Sequence, residues 1–302
     1  MRRALFGIGL YLVGALFAAQ ALADGASNTI PAAPALWMVH GPKGNAYLLG
    51  SIHVLPKNVN WQTAQILDAV KRADTFVFEV PMDADSNDIA KKEIAQNEVL
   101  PLSTSLISLF DEDMRSDFRK VILQTHADPT YVVYMRPWLA AMDLEGVESG
   151  DPRYVAAEGV DNKIYAMAVA RKGTHFRAFE TYEQQFRLLM GDGKLQDEVA
   201  ALRVTFKQIL AQRHEENING LFAAWAKGDA KALARFGPEN PQMTDADKKS
   251  MFENRNRSWV PQITAMLNEK HTYFITVGAG HLVGKTGVPN LLRAAGFQVD
   301  GP

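Results

Sequence analysis

The chain has 302 residues, of which 47% are apolar, 22% are charged and none is cysteine. This composition is that of a globular protein and argues against disordered and collagen-like classes, while the lack of cysteine excludes disulfide frameworks, thiolate metal sites and cysteine nucleophiles. A net charge of −2 without a long basic run argues against nucleic-acid binding, so we expect no nucleic-acid partner.

The first 23 residues have the pattern of a secretory signal peptide. Arg2-Arg3 precedes an apolar run over residues 4–19, and Ala21-Leu22-Ala23 has the small-residue pattern of a cleavage site. We predict cleavage after Ala23 and a periplasmic or secreted product without stable membrane insertion. The alternative is an uncleaved anchor, but the apolar run is shorter than the roughly 20 residues that span a bilayer.

The next segment, residues 24–35, is small, polar and proline-bearing, which predicts a flexible linker before a single domain over residues 36–302. This domain opens with two β-type runs, Leu36–His40 and residues 46–52. Five residues with turn chemistry connect them, so we predict a hairpin.

Helices and strands then alternate along the chain. Apolar spacing predicts helices over residues 62–73 and 160–168, each followed by a strand, over residues 75–80 and 175–180. A further strand is predicted over residues 272–277, followed by a short helix over residues 291–296. Stretches near residues 84–150 and 185–258 have mainly helical patterns. We therefore predict an α/β fold, with a mixed β-sheet core, an N-terminal hairpin, flanking helices and two helical insertions.

A repeated pattern, Gly-x-x-His, follows two of the predicted strands directly, in residues 50–53 and 278–281. Each histidine is then expected just beyond the carboxyl end of a strand, where α/β proteins place their ligands. A glutamate ends each of two other predicted strands. The residues that we expect to converge at this edge of the sheet are His53, Glu79, Glu180 and His281.

Two imidazoles with one or two carboxylates form a plausible site for zinc, manganese, cobalt or iron. A bound divalent ion lowers the pKa of its water towards ~7 and so supplies hydroxide near neutral pH. A carboxylate outside the metal shell could serve as general base. The alternative for each histidine is a hydrogen-bonded structural role, and for each glutamate a helix cap or a solvent-exposed position.

A polar pair, Arg255-Asn256, interrupts an apolar helical stripe. A guanidinium that faces the crevice could bind a substrate carboxylate or stabilise an oxyanion. The alternative is an internal ion pair.

With these residues the sequence resembles the TraB/PrgY/GumN family, which includes the animal Tiki-type proteins. The similarity covers nearly all of the chain after residue 35. The matching segments are residues 47–56 (YLLGSIHVLP), 73–80, 159–161 (GVD), 179–181 with Gln184 or Gln185, 255–256 and 277–282 (VGAGHL).

The resemblance implies a fold like that of the erythromycin-esterase and ChaN proteins. It also implies the metal-dependent peptide hydrolysis of Tiki-type relatives, with manganese or cobalt. Carried over, His53 and His281 are metal ligands, and Glu79 and Glu180 are ligands or the base. Arg255 and Asn256 would orient the substrate.

We therefore predict an exported metal-dependent hydrolase, a peptidase, that uses water activated on a manganese, cobalt or zinc ion held by His53, His281 and at least one glutamate. Two alternatives stay open. One is a metal-independent, esterase-like hydrolase with His53 as general base and a glutamate that orients it. The other is a non-catalytic binding or regulatory protein for a peptide, glycan or haem-like ligand. The predicted partner is a peptide or other small exported substrate, and the sequence does not determine the oligomeric state.

Overall fold

The computed structural model describes residues 29–83, 92, 98–145, 154–190, 193–211 and 213–302, without the side chains of residues 189–190 and 213–217. The predicted signal peptide lies outside these residues, so export stays a prediction. Within the described ranges, no helix has the length and apolar character needed to cross a bilayer.

The chain folds into a mixed α/β structure, which confirms the predicted fold class. The strands are β1 (Ile30–Pro31), β2 (Leu36–His40), β3 (Asn45–Ser51), β4 (Leu55–Pro56), β5 (Val59–Asn60), β6 (Thr75–Phe78), β7 (Tyr154–Val155), β8 (His175–Ala178), β9 (Thr272–Gly278) and β10 (Gln298–Asp300). The α-helices are α1 (Ala64–Arg72), α2 (Glu112–Thr125), α3 (Pro129–Val132), α4 (Pro137–Glu145), α5 (Val160–Val169), α6 (Tyr182–Met190), α7 (Leu195–Leu210), α8 (Arg213–Ala226), α9 (Ala230–Ala234), α10 (Asp245–Lys248), α11 (Asn254–Met266) and α12 (Val288–Ala294).

The central sheet has six strands in the order β10-β2-β3-β9-β6-β8. β2 and β3 form the predicted hairpin, and β10 adds to it antiparallel. The remaining pairs, β3 with β9, β9 with β6 and β6 with β8, are parallel. The carboxyl ends of four strands therefore meet at one edge of the sheet, which is where the predicted site residues follow in the sequence.

Helices α1, α5 and α11 pack on this sheet in one apolar core. Thr63 caps the N-terminus of helix α1, because its side chain accepts a hydrogen bond from the Ile66 amide. The helix buries Ile66, Ala69 and Val70 against the sheet. β6, with the sequence TFVF, is buried at every position, as expected for a strand with parallel neighbours on both sides.

The two regions predicted as helical insertions contain helices α2–α4 and α6–α11. Helices α2, α4 and α7 form a second apolar cluster around Phe110, Phe118 and Phe206, whose rings lie within 6 Å of one another. An ion pair between Arg136 and Glu198 links α4 and its N-terminal flank to α7.

Part of the predicted linker contacts the domain, while its flexibility stays a prediction. Ile30–Pro31 pairs with Val59–Asn60 in a two-stranded parallel sheet, and the amide of Ala33 donates to the carbonyl of Ala226 at 2.7 Å. Backbone hydrogen bonds thus hold this segment against the domain, although its composition resembles that of a loop.

Candidate active site

The two Gly-x-x-His motifs leave neighbouring parallel strands in register. Ser51 at the end of β3 lies opposite Gly278 at the end of β9. A Cβ atom on Gly50 would lie 2.9 Å from the Cα of Ala279, so a larger residue would separate the two motifs. The first motif therefore needs its glycine for close packing against the second.

Three predicted site residues surround the point above Gly278 that a Cβ atom of this residue would occupy. A Cβ atom at that position would lie 3.1 Å from Oε1 of Glu79, 3.5 Å from Cδ2 of His281 and 3.9 Å from Nε2 of His53. The Gly278 amide also donates to Oε1 of Glu79 at 2.6 Å. The structure thus brings the two histidines and this glutamate together, as the strand ends predict, while their roles stay predictions.

Arg255 is the hub of the site. Its Nε and Nη2 donate to the two carboxylate oxygens of Glu180 at 2.7 and 2.9 Å, and Nη2 also donates to Oε2 of Glu79 at 2.5 Å. Its Nη1 donates to Nε2 of His281 at 2.9 Å and to the carbonyl of Met251 at 3.4 Å. These contacts use all five N–H donors of the guanidinium.

The environment of Arg255 is buried, since only 8% of its side chain is exposed. No N–H group of Arg255 is left for a substrate in this arrangement, which differs from the substrate-orienting role expected from the sequence. The guanidinium also lies 4.9 Å from the ring centre of Trp259, whose Nε1 donates to Oε1 of Glu180 at 2.9 Å. Arg255 is thus the internal ion pair that the sequence left open as an alternative.

A π-helical turn, Lys249–Glu253, connects α10 to α11 immediately before Arg255. Such turns are rare and commonly occur at functional sites. Because the turn includes Met251, it supplies the backbone carbonyl that accepts from Nη1 of Arg255. The apolar stripe that the sequence shows around Arg255 is therefore not a regular helix at its start.

Asn256, the residue after Arg255, fixes the orientation of the His281 ring. Nδ2 of Asn256 donates to the carbonyl of Thr286 at 2.8 Å, which leaves its Oδ1 to accept from Nδ1 of His281 at 2.6 Å. Nε2 of His281 is then the unprotonated nitrogen that accepts from Arg255. Burial and the charge of Arg255 together lower the pKa of His281 to about 3, so the ring is neutral.

Asn256 therefore orients His281, and both polar atoms of its side chain are bonded within the protein. Its side chain is fully buried. This too differs from the substrate-orienting role that the resemblance implies.

Glu79 is held as a carboxylate in the interior. Burial alone would raise its pKa, but the charges of Arg255 and His53, with the hydrogen bond from the Gly278 amide, lower it to about 2. A further donor, Nε2 of Gln185, lies 3.2 Å from its Oε2. Glu79 is thus a fixed negative charge rather than a proton carrier near neutral pH.

His53 is the predicted site residue that keeps a free nitrogen. Its Nδ1 donates to Oδ1 of Asp161 at 3.1 Å, and its Nε2 has no hydrogen-bond partner among the described residues. Its side chain remains 19% exposed. Burial would lower its pKa, but the charge and hydrogen bond of Asp161, with the charge of Glu79, raise it to about 9.

The first turn of α5 places Asp161 beside His53. Gly159 precedes this helix and its Cα packs on the carbonyl of His53 so closely that no Cβ would fit, while the amide of Val160 donates to the carbonyl of Ile52 at 3.1 Å. Ser51 fixes the carboxylate further, because its Oγ donates to Oδ1 of Asp161 at 2.6 Å. The resulting Asp–His pair has the geometry of an oriented general base.

Sequence reasoning did not give Asp161, Ser51 or Gln185 a role. Asp161 and Gln185 appeared only within segments that match the family. For Asp161, the available signal was an acidic residue two positions after a glycine at a helix start, which also describes an ordinary helix terminus.

A divalent ion is expected from the resemblance, but the candidate ligands as arranged do not fit one. The lone pair of His281 Nε2 and both oxygens of Glu180 are taken by Arg255, and Glu79 accepts three hydrogen bonds. The positive guanidinium of Arg255 lies within 3 Å of these candidate ligand atoms, so it would also repel a metal cation bound to them. Over the described part of the chain, no three His, Asp or Glu side chains form a metal-binding group.

Comparison with known proteins finds a family model and two relatives. The model of the TraB/PrgY/gumN family matches residues 35–301. Two relatives named "Uncharacterized protein YbaP" are each 22% identical to this chain: one from Shigella flexneri over 259 residues and one from Escherichia coli K12 over 257 residues. Each alignment covers 82% of this chain, and 88% and 87% of the relatives. No solved structure matches the chain.

Proposed function

Since the chain belongs to the TraB/PrgY/gumN family, we propose that it is a hydrolase in which His53 activates a water molecule for attack on an acyl carbonyl. The observation that carries this proposal is the pairing of His53 with Asp161, which leaves one imidazole nitrogen free at the carboxyl edge of the sheet. Ligands of α/β proteins bind at this edge.

In the proposed reaction, Nε2 of neutral His53 takes a proton from water as the oxygen attacks the carbonyl carbon. Asp161 holds the Nδ1–H tautomer and stabilises the imidazolium that forms. The imidazolium then returns the proton to the leaving group as the acyl bond breaks. Water is the nucleophile in this proposal, because the hydroxyl of Ser51, in the same motif as His53, donates to Asp161 and is not available to His53.

The Arg255 cluster has a separate task in this proposal. Glu79 contributes negative charge near His53 and so strengthens it as a base. Arg255 holds Glu79, Glu180 and His281 in fixed positions, since it bonds to all three. The cluster is thus a rigid support, and its Glu79 adds to the larger effect of Asp161 on the basicity of His53.

The substrate class follows from the chemistry. A general base without a resident nucleophile suits esters and amides of carboxylic acids, and peptides are the class that the resemblance implies. We therefore propose an acyl hydrolase whose natural substrates are peptides or similar small amides.

A second candidate is the metal-dependent hydrolase expected from the sequence. The observation that favours it is that His53 Nε2, Glu79 Oε1 and the His281 ring all lie within 4 Å of one point above Gly278. A metal-dependent mechanism requires that the hydrogen bond between Arg255 and His281 breaks, since Nη1 of Arg255 donates to the His281 nitrogen that a metal would bind. The two candidates therefore differ in whether a chelator removes activity.

The test is hydrolysis of a fluorogenic peptide library and of p-nitrophenyl esters by the purified protein and by the His53→Gln variant. We expect turnover by the wild type that falls about 100-fold or more in the variant, which is the usual size of a general-base contribution. Turnover by neither protein across the panel, with saturable peptide binding, would instead favour a binding protein.

A further inference from the structure

Gln185 lies at the inner end of the site. Helix α6 begins at Tyr182, two residues after Glu180, and is fixed by a reciprocal cap, in which Thr181 and Gln184 each accept a hydrogen bond from the amide of the other. The next residue, Gln185, is only 1% exposed. Its side chain therefore reaches the Arg255 cluster from the interior rather than from solvent.

The orientation of its carboxamide follows from its neighbour. Nε2 of Gln185 donates to Oε2 of Glu79 at 3.2 Å. The opposite orientation would set two acceptor oxygens against each other, because Glu79 is ionised. Oε1 of Gln185 is therefore an acceptor, and it has no hydrogen-bond partner among the described residues.

The lack of a hydrogen-bond partner at Oε1 of Gln185 contrasts with the polar atoms of Arg255 and Asn256. All five N–H donors of Arg255 and both polar atoms of Asn256 have partners. In the described part of the chain, the buried side-chain atoms without a partner are Oε1 of Gln185 and Oγ1 of Thr276. A buried acceptor that stays unpaired is costly, so it normally marks a place for water or for a ligand.

Glu79 connects this acceptor to the proposed base. One of its oxygens contacts Gln185, and the other lies 3.1 Å from the point above Gly278, which is 3.9 Å from Nε2 of His53. Glu79 thus contacts Gln185 with one oxygen and the point above Gly278 with the other, and the inference places at Oε1 of Gln185 a substrate group that is attached next to the reacting carbonyl. In a peptide such a group is the amide N–H, which an ester lacks.

We propose that Oε1 of Gln185 accepts a hydrogen bond from an amide N–H of the substrate, so that the site selects peptide-like amides over esters. This inference rests on the proposed hydrolase function and adds a residue that determines specificity. In this inference Gln185 is a substrate-binding residue: its Nε2 donates to Glu79, and its Oε1 accepts from the substrate.

The test measures binding without turnover, in the His53→Ala background. The two probes are N-acetyl-L-alanine N-methylamide and N-acetyl-L-alanine methyl ester, which differ by one N–H. We expect the amide to bind about tenfold more tightly than the ester, and this preference to vanish when Gln185→Met is added. The matched control is Gln62→Met, an exposed glutamine outside the site, which should leave the preference intact.

Equal dissociation constants for the two probes in the His53→Ala protein, no measurable binding of the amide, or a preference that persists in Gln185→Met each overturn the inference. If Gln185→Met unfolds, Gln185→Asn replaces it, because it withdraws the oxygen by one methylene while keeping a carboxamide. Failure of the proposed function has a different signature, namely hydrolysis that persists in His53→Ala.

Discussion

Nη1 of Arg255 donates to Nε2 of His281 across 2.9 Å, and this contact determines what both side chains can do. It occupies the lone pair that would make His281 a base or a ligand, and it completes the five hydrogen bonds of the guanidinium. Of the two motif histidines, His53 is the one whose Nε2 has no hydrogen-bond partner among the described residues, and it is the base of the proposed mechanism.

Removal of Arg255 should unfold or strongly destabilise the protein. The Arg255→Ala variant removes the cation that pairs directly with the buried carboxylates of Glu79 and Glu180, and breaking a buried ion pair in this way costs about 3–5 kcal/mol. Arg255→Lys should recover little, since an ammonium cannot reproduce five directed donors. Urea unfolding measures both.

The matched control for this prediction is Arg257→Ala, on the same helix. Arg257 pairs with Glu253 at 2.9 Å, but 59% of its side chain is exposed. Its loss should change the free energy of unfolding by less than about 1 kcal/mol. Similar losses for the two variants would show that Arg255 is not the hub of a buried network.

The sequence predicted the sheet and the meeting of its strand ends for a simple reason. Local patterns mark the strands that precede His53, Glu79 and His281, and the carboxyl ends of parallel strands meet at one edge by topology. The partners of Arg255 and of His53 could not be predicted in the same way. They depend on distances between α11, α5 and the sheet that no local pattern records, and Asp161 lies 108 positions from His53.

Replacement of Asp161 by Asn should impair turnover rather than folding. The amide cannot stabilise the imidazolium and can hold the wrong tautomer of His53, so we expect kcat on the high-pH plateau, where His53 is neutral in both proteins, to fall about 100-fold or more. The control is Asp300→Asn, which changes an exposed Asp–His pair with His40 outside the site and should leave kcat unchanged. Equal kcat for wild type and Asp161→Asn would remove Asp161 from the mechanism.

The rate should rise with pH over the neutral range. The base works in its neutral form, and Asp161 and Glu79 raise the pKa of His53 to about 9, so the active fraction grows about tenfold per pH unit and levels off above that pH. Loss of the Asp161 charge lowers this pKa, so Asp161→Asn should move the inflection to lower pH. A rate that is flat or falling between pH 6 and 9 contradicts this assignment.

A second titrating group lies away from the site, in the helical cluster. Burial raises the pKa of Glu145 to about 7, although Thr205 donates to it at 2.8 Å. In the unfolded chain this carboxyl group loses its proton near pH 4.5, whereas in the folded protein it keeps the proton up to about pH 7. The free energy of unfolding therefore falls as the pH rises from 4.5 to 7, by about 3 kcal/mol in all.

The Glu145→Gln variant should therefore gain stability relative to wild type at pH 8 and not at pH 4, as measured by urea unfolding at both pH values. Glu183→Gln, at a side chain that is 64% exposed, should show no such difference. If the relative stability of Glu145→Gln does not change with pH, Glu145 does not titrate as described.

The most direct measurement is the hydrolysis rate of chelator-treated protein, with its metal content verified, compared between wild type and His53→Gln on the fluorogenic peptides and p-nitrophenyl esters. The proposed mechanism predicts that the wild type keeps its rate after chelation, and that His53→Gln loses about 100-fold or more. An undiminished rate in His53→Gln, or a wild-type rate that disappears on chelation and returns with manganese or cobalt, would contradict it.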